Sequence, residues 1–472
     1  MAYRYGDRNQ LALFPPCVED YVPQDAAVRA YDAMVDALDF EALGIDINPD
    51  NVGNPQYDPR AMLKLLVYGT SYGIRSSRKL EREVHYNVSF MWLVGALKPD
   101  HKTIAEFRRK NKIALSKVLE QCARMCMKLN LVEGNTLFVD GSKIRANASL
   151  KNRWTKERCE EALKKANLRI KEILEECENT DILEKDHPSL VKLDKDLASR
   201  EALKTKVRDI LKELKDETKK ELNTTDPDSA VMKSQKGTHS SYNAHIVVDE
   251  KHGLIVSADA TSNNSDSGQF AEQIDQANET LQHKCSTACA DAGYANNPEL
   301  EKVAKQDIKV IVPSKSQASK KIKPFSKKNF TYDKVKDCYA CPEGSILSYR
   351  CTDNKGRKIY KIANNACKDC PHCCMCTNTK GGRVIARVRD EDLKEKFETL
   401  YQQPDSQKIY NLRKEKVELP FGHIKRNLKF DAFLLRGKEG AKSEISLAST
   451  CFNIARMITI FGVEGLIQKL QG

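Results

Sequence analysis

The sequence predicts a mixed α/β protein with a helical N-terminal region, a helical insertion and a small cysteine-rich insertion. Three observations carry this. Short apolar strand-like segments alternate with helical ones, and two of them end in an aspartate, Asp140 and Asp291. Residues 151–225 hold 19 basic and 18 acidic side chains with apolar residues at helical spacing. Eight of the 16 cysteines lie between Cys338 and Cys376.

Residues 1–25 read as an irregular lead with Pro15, Pro16 and Pro23. Residues 26–130 read mostly as helices. Asp58-Pro59 opens an apolar-periodic helix through Met62, Leu63, Leu65, Leu66 and Val67, and a second helix is expected around Ser77–Tyr86. Thr103 and Glu106 have capping-box spacing ahead of Arg108, Arg109 and Lys110, a basic helix end of the kind that enters a DNA groove. The same charges also suit a solvated bundle.

Gly134-Asn-Thr-Leu-Phe-Val-Asp140-Gly141 reads as a turn and a strand ending in an acid. The charged stretch 151–225 reads as a helical hairpin with a turn at Asp186-His-Pro188. Tyr242–Asp249 and Leu254–Ala260 form a hairpin about Gly253. A helix over Ser267–Leu281, a strand into Asp291, a helix from Pro298 and a strand over Ile308–Val312 complete the alternation. Trp92 and Trp154 are read as packing residues, and His239, His245 and His252 as surface or packing residues. An amphipathic C-terminal helix with Asn453 and Arg456 is expected to pack on the core.

The chain has 472 residues and a formal net charge of +12. Residues 301–472 carry 35 Lys and Arg against 19 Asp and Glu, while the first 300 residues are slightly acidic. A basic C-terminal half suits a polyanion such as DNA, and equally a solubilising surface. The N-terminus lacks the apolar core of a signal peptide and no apolar run is judged long enough to cross a bilayer, so a cytoplasmic, membrane-free protein is expected. There is no phosphate-cradling P-loop and no Ser–His–Asp pattern.

Asp140, Asp291 and Glu418 are widely separated acids in contexts that suit convergence at one end of a sheet. Three carboxylates supply hard oxygen ligands for Mg²⁺ or Mn²⁺, and two such ions suit phosphodiester transfer. Glu418 lies among bases in Tyr410-Asn-Leu-Arg413-Lys414-Glu-Lys-Val-Glu418-Leu-Pro420-Phe-Gly-His-Ile-Lys425. Helical periodicity puts Lys414, Glu418 and Lys425 near one face. Pro420 is expected to kink or interrupt that helix. Cys338-x2-Cys341 and Cys367-x2-Cys370, with Cys373, Cys374 and Cys376 following, form a zinc-ribbon signal, since four thiolates close a tetrahedral Zn²⁺ site.

Phe138-Val-Asp140-Gly-Ser, Tyr242–Asp249, Ala290-Asp291-Ala-Gly-Tyr294, Val417–Lys425 and Phe433-Leu-Leu-Arg436-Gly437 together resemble the DDE-type transposases of bacterial insertion sequences, and residues 58–115 resemble their N-terminal domain. The resemblance implies a ribonuclease-H-like catalytic fold over 131–472, interrupted by the insertions at 151–225 and 330–380, after a helical DNA-binding domain over 1–130. It implies that Asp140, Asp291 and Glu418 bind two Mg²⁺ or Mn²⁺ ions, cut the ends of the element and transfer the freed 3′-hydroxyl to target DNA. It assigns Tyr410, Arg413, Glu418 and Lys425 to a signature helix; four residues separate Arg413 from Glu418 where three are common, which makes Lys414 an alternative to Arg413. Tyr410, Arg413, Lys414, Lys425, Arg108 and Arg109 are the expected DNA contacts. The family's cysteine pattern favours Cys341, Cys367, Cys370 and Cys376 as structural zinc ligands, with Cys338 the alternative. The expected partners are double-stranded DNA, as terminal inverted repeats and target, and a second copy of the chain on that DNA. The expected location is the bacterial cytosol, at the nucleoid. A nuclease without strand transfer and a non-catalytic DNA-binding derivative are the alternatives.

Overall fold

A computed structural model describes residues 17–47, 56–181, 188–214, 221–234, 237–318, 325–354, 356–363, 366–367, 370–377, 379 and 381–471. Most of the expected lead, and Asp186 and His187 of the expected turn, lie outside these.

A six-stranded mixed sheet organises the centre. Its strands are β1 (Thr136–Arg145), β2 (Ala230–Ser234), β3 (Gly237–Asp249), β4 (Ile255–Thr261), β5 (Thr287–Cys289) and β6 (Lys309–Ile311). β3 runs antiparallel to β1 on one edge and to β2 and β4 on the other. β1, β5 and β6 run parallel. Tyr242 through Asp249 and Ile255 through Thr261 are buried on both faces, and they carry the buried polar residues Asn243, His245, Asp249, Ser257, Asp259 and Thr261 among their apolar ones. The expected helix at 267–281 begins later, at Phe270.

Before the sheet come helices that include Ala27–Asp36, Pro59–Ser71, Ser77–Tyr86, His101–Lys110 and Lys112–Lys128. Asp58 caps Pro59–Ser71 through the Arg60 amide at 2.9 Å, with Pro59 in the first turn where its missing N–H costs nothing. His101–Lys110 is capped by Asp100, which accepts from the Thr103 amide at 2.7 Å; Asp100 lies one residue outside the helix, whereas Thr103 is already inside it and cannot act as the cap.

Between β1 and β2, helices Lys156–Asp181 and Pro188–Glu213 pair antiparallel over their own small core of Cys159, Val207, Ile210 and Leu214. Trp154 packs there with the Arg158 guanidinium 4.8 Å above its ring. Residues 331–387 contain a separate five-stranded antiparallel sheet around Phe330, Tyr339, Leu347, Tyr360, Ile362 and Ile385.

Two later helices correct the sequence reading. Pro404–Arg426 continues through Pro420 without interruption. Val417, Pro420, Phe421 and Ile424 are buried on one side, and this packing outweighs the roughly 3 kcal/mol that an interior proline costs. Lys438–Gln471 is long and apolar enough by composition to cross a membrane, contrary to expectation, but its backbone breaks at Gly462, where φ is 72° and ψ 172°. Its first part serves as a core helix. Ala441 through Ile454 are nearly all buried, packed against β4 and against Lys112–Lys128. Within it Asn453 brackets Ile255, accepting from its amide and donating to its carbonyl, both at 2.8 Å.

Candidate active site

Register brings the two aspartates together. Phe138 of β1 is paired with Cys289 of β5, and Asp140 and Asp291 each stand two residues further along these parallel neighbours. Strand spacing of about 4.8 Å and the two-residue period therefore set both on the same side of the sheet. Asp291 leaves the strand as the cap of the short turn Ala292–Tyr294, accepting from the Gly293 amide at 2.8 Å.

Arg413 of the helix Pro404–Arg426 points at both. Its Nη2 lies 2.8 Å from Asp140 Oδ1 and 3.9 Å from Asp291 Oδ2. Arg413 is 8% exposed, whereas Lys414 is exposed. Arg413, and not its alternative Lys414, faces the aspartates: the sheet-facing line of the helix runs through Arg413, Val417 and Pro420, and Lys414 is turned about 100° from it. Burial pushes the Asp140 carboxyl up to about 6, against the pull of the Arg413 charge and with a further push from Asp291.

Glu418 is exposed on the same helix. The charges that act most on Asp140 are Arg413, Asp291 and Asp266, and Glu418 is not among them. Among the described residues no three His, Cys, Asp or Glu side chains are arranged to hold a metal ion. The donors nevertheless suit a hard divalent cation: two carboxylates, on β1 and just past the end of β5, already share one positive charge.

Asp266, in the loop between β4 and the helix Phe270–Leu281, is a carboxylate that the sequence reading missed. Its Oδ1 accepts from Asn243 Nδ2 at 2.7 Å. Two glycines make room for it. A Cβ on Gly141 would stand 2.8 Å from Asp266 Oδ1, and one on Gly293 would stand 3.0 Å from Asp266 Oδ2. Behind this group the buried Tyr294 hydroxyl pairs with His245 Nδ1 at 2.7 Å, and burial holds the imidazole pKa below its usual value. The available signal was Asn243 and His245, two polar residues two apart beside the apolar run Ile246–Val248.

Lys425 hydrogen-bonds to Ser142 and lies 5.6 Å from the Phe421 ring centre. With Lys143, Arg145, Asp266 and Phe430 it lines a cavity of about 390 Å³ beside Asp140. Tyr410 is half-buried, edge-on to Tyr401 at 5.1 Å. Arg109 is exposed and pairs with Glu106 at 2.6 Å. Arg108, also expected at the DNA, is enclosed within the fold. It is 8% exposed and donates to the Arg75 carbonyl at 2.7 Å. Arg75 in turn reaches Glu444 at 3.1 Å and the Ala432 carbonyl at 2.8 Å, with its guanidinium 4.0 Å from the Phe430 ring. The basic helix end thus ties the N-terminal helices to the segment behind the cavity.

In the smaller sheet, Cys341, Cys367 and Cys376 pack against the local core. The Cys341 sulfur accepts from the Ser345 amide at 3.2 Å. Burial raises the Cys376 thiol, Arg383 opposes this, and Cys367, Cys370 and Cys341 raise it further. Cys338 is buried in the strand Cys338–Ala340 and is not among the thiols acting most on Cys376.

Residues 16–110 match the transposase domain DUF772. Residues 340–458 match the transposase DDE domain, a stretch that includes Glu418 and Arg413 but neither Asp140 nor Asp291. No curated protein and no solved structure matches the chain. A DDE domain implies a ribonuclease-H-like fold, and the mixed sheet with its flanking helices is consistent with it.

Proposed function

We propose that the chain, whose residues 16–110 and 340–458 match transposase domains, is a DDE-type insertion-sequence transposase that cuts DNA at the ends of its element and joins the freed 3′-hydroxyls to target DNA. Asp140, Asp291 and Glu418 are the carboxylates that would hold Mg²⁺ or Mn²⁺. The observation that carries this reading is that Asp140, on β1, and Asp291, just past the end of the parallel neighbour β5, face one cation from the helix that bears Glu418. When bound, divalent ions would lower the barrier by stabilising charge on the attacking and leaving oxygens. The chain's own part is to orient. Lys425 and the bases of the neighbouring cavity hold phosphates, while the buried Tyr294–His245 pair fixes the floor under the carboxylates.

Glu418 is exposed and offset from the Arg413–Val417–Pro420 line by about the same 100° as Lys414, so the helix itself has to rotate or shift for Glu418 to join the two aspartates when DNA and metal bind. Pairing of two element ends calls for at least two copies on DNA, in the cytoplasm where that DNA lies. Cys341, Cys367, Cys370 and Cys376 are the proposed ligands of one structural Zn²⁺. Strand transfer is tested with pre-cut element ends, a target plasmid and Mn²⁺. Joined products support a transposase, whereas cutting without joining would favour a nuclease.

A further inference from the structure

Two carboxylates that share a side are expected to repel, and in this protein a tethered charge holds them. Arg413 is buried and lies within ion-pair distance of both Asp140 and Asp291. Its pairing is poor for so buried a cation. One nitrogen makes one short hydrogen bond to Asp140, the contact to Asp291 is 3.9 Å, and the buried Nε has no hydrogen-bond partner. A guanidinium has five donors in a planar fork, and burial without filling them costs free energy. The same two carboxylates are the oxygen donors of the proposed metal site, so two cations have a claim on one pair of anions.

We propose that Arg413 is a positioning residue that stands in for the divalent ion: it keeps Asp140 and Asp291 converged in the metal-free protein and has to give way when a divalent ion binds. The inference rests on the functional reading above. Its physical content is a competition. A divalent ion between the carboxylates meets an opposing positive charge a few ångströms away in a partly buried site, where such repulsion is weakly screened. The loosely satisfied fork lowers the cost of moving the guanidinium aside. Removing Arg413 therefore raises the affinity for metal while lowering the stability of the metal-free protein, because the two aspartates then face each other without a counter-charge.

The test is titration of the purified chain with MnCl₂, free Mn²⁺ being read by electron paramagnetic resonance, for the parent, R413Q, D291N and the double variant R413Q/D291N. R413Q is expected to bind Mn²⁺ about tenfold more tightly than the parent, equivalent to about 1.4 kcal/mol. It should also unfold at a lower temperature without metal and show a larger rise in Tm when MnCl₂ is added. D291N is expected to lose the binding, and R413Q/D291N not to regain it. Unchanged or weaker Mn²⁺ binding in R413Q, with D291N still disruptive, overturns the competition and leaves the proposed function standing. Binding indifferent to D291N overturns both. Should R413Q fail to fold, R413K serves instead. Its single ammonium cannot span both carboxylates, so a several-fold gain in affinity is expected, and none would refute the proposal.

Discussion

Gly141 gives the sharpest prediction about the site, because its backbone accepts a side chain that its surroundings do not. Its φ lies outside the left-handed region, so Gly141→Ala costs little in conformation. The added methyl would sit 2.8 Å from Asp266 Oδ1, 2.9 Å from Tyr294 Oη and 3.1 Å from His245 Nδ1. Each is closer than ordinary contact, and none of the three is the free end of a flexible side chain. Tyr294 and His245 are fully buried and bonded to each other, and Asp266 is held by Asn243. Overpacking of this kind costs about 1–3 kcal/mol. Loss of the Tyr294–His245 hydrogen bond adds about 1 kcal/mol. A fall in Tm of roughly 2–4 °C follows for a chain of this size. Because Asp140 is the adjoining residue, DNA cleavage should fall well beyond what the loss of folded protein explains. Thermal unfolding by circular dichroism, paired with an end-cleavage assay on the soluble variant, measures both. A Gly141→Ala protein as stable and as active as the parent would refute the packing argument.

The raised Asp140 carboxyl makes metal binding pH-dependent. Below about 6 this group holds a proton that the metal must displace, so Mn²⁺ affinity should fall about tenfold per pH unit there and flatten above, as calorimetry in buffers of different ionisation enthalpy would show. For stability the sign is opposite to that of a salt-bridged acid. The contribution is fully present below the unfolded value near 3.8 and is lost as pH rises through about 6. Among the described residues the cysteine-rich sheet has six buried core side chains, too few to stand alone, so stripping the proposed zinc should expose residues 325–390 to protease. One zinc per chain by elemental analysis is expected, and metal-free protein with that segment still protected would contradict it.

Much of this arrangement could be read from the sequence for a physical reason. Hairpins that turn on glycine and helices capped by Asp-Pro are local signals, and each appears in the structure near its expected place, whereas the strand expected to end at Asp140 runs on to Arg145, paired with β3 throughout. What was not legible depends on tertiary packing. Arg413 and Lys414 are adjacent bases, and only the burial of Val417 and Pro420 says which one faces the sheet. Arg108 looked like an exposed basic tip until Arg75 and Glu444 enclosed it. Pro420 reads as a kink or a break because the sequence shows its missing donor but not the apolar neighbours that keep the helix continuous. Asp266 carries no local mark; the spaces left by Gly141 and Gly293 reveal it only once three chain segments meet.

The central claim is that Asp140, Asp291 and Glu418 act as one catalytic unit on DNA, and isosteric removal of each charge tests it most directly. Cleavage of element-end DNA in Mg²⁺ should fall at least a hundredfold in each of D140N, D291N and E418Q, with double-strand binding by gel shift within a few-fold of the parent. Cleavage at the parental rate in any one of the three would contradict the account.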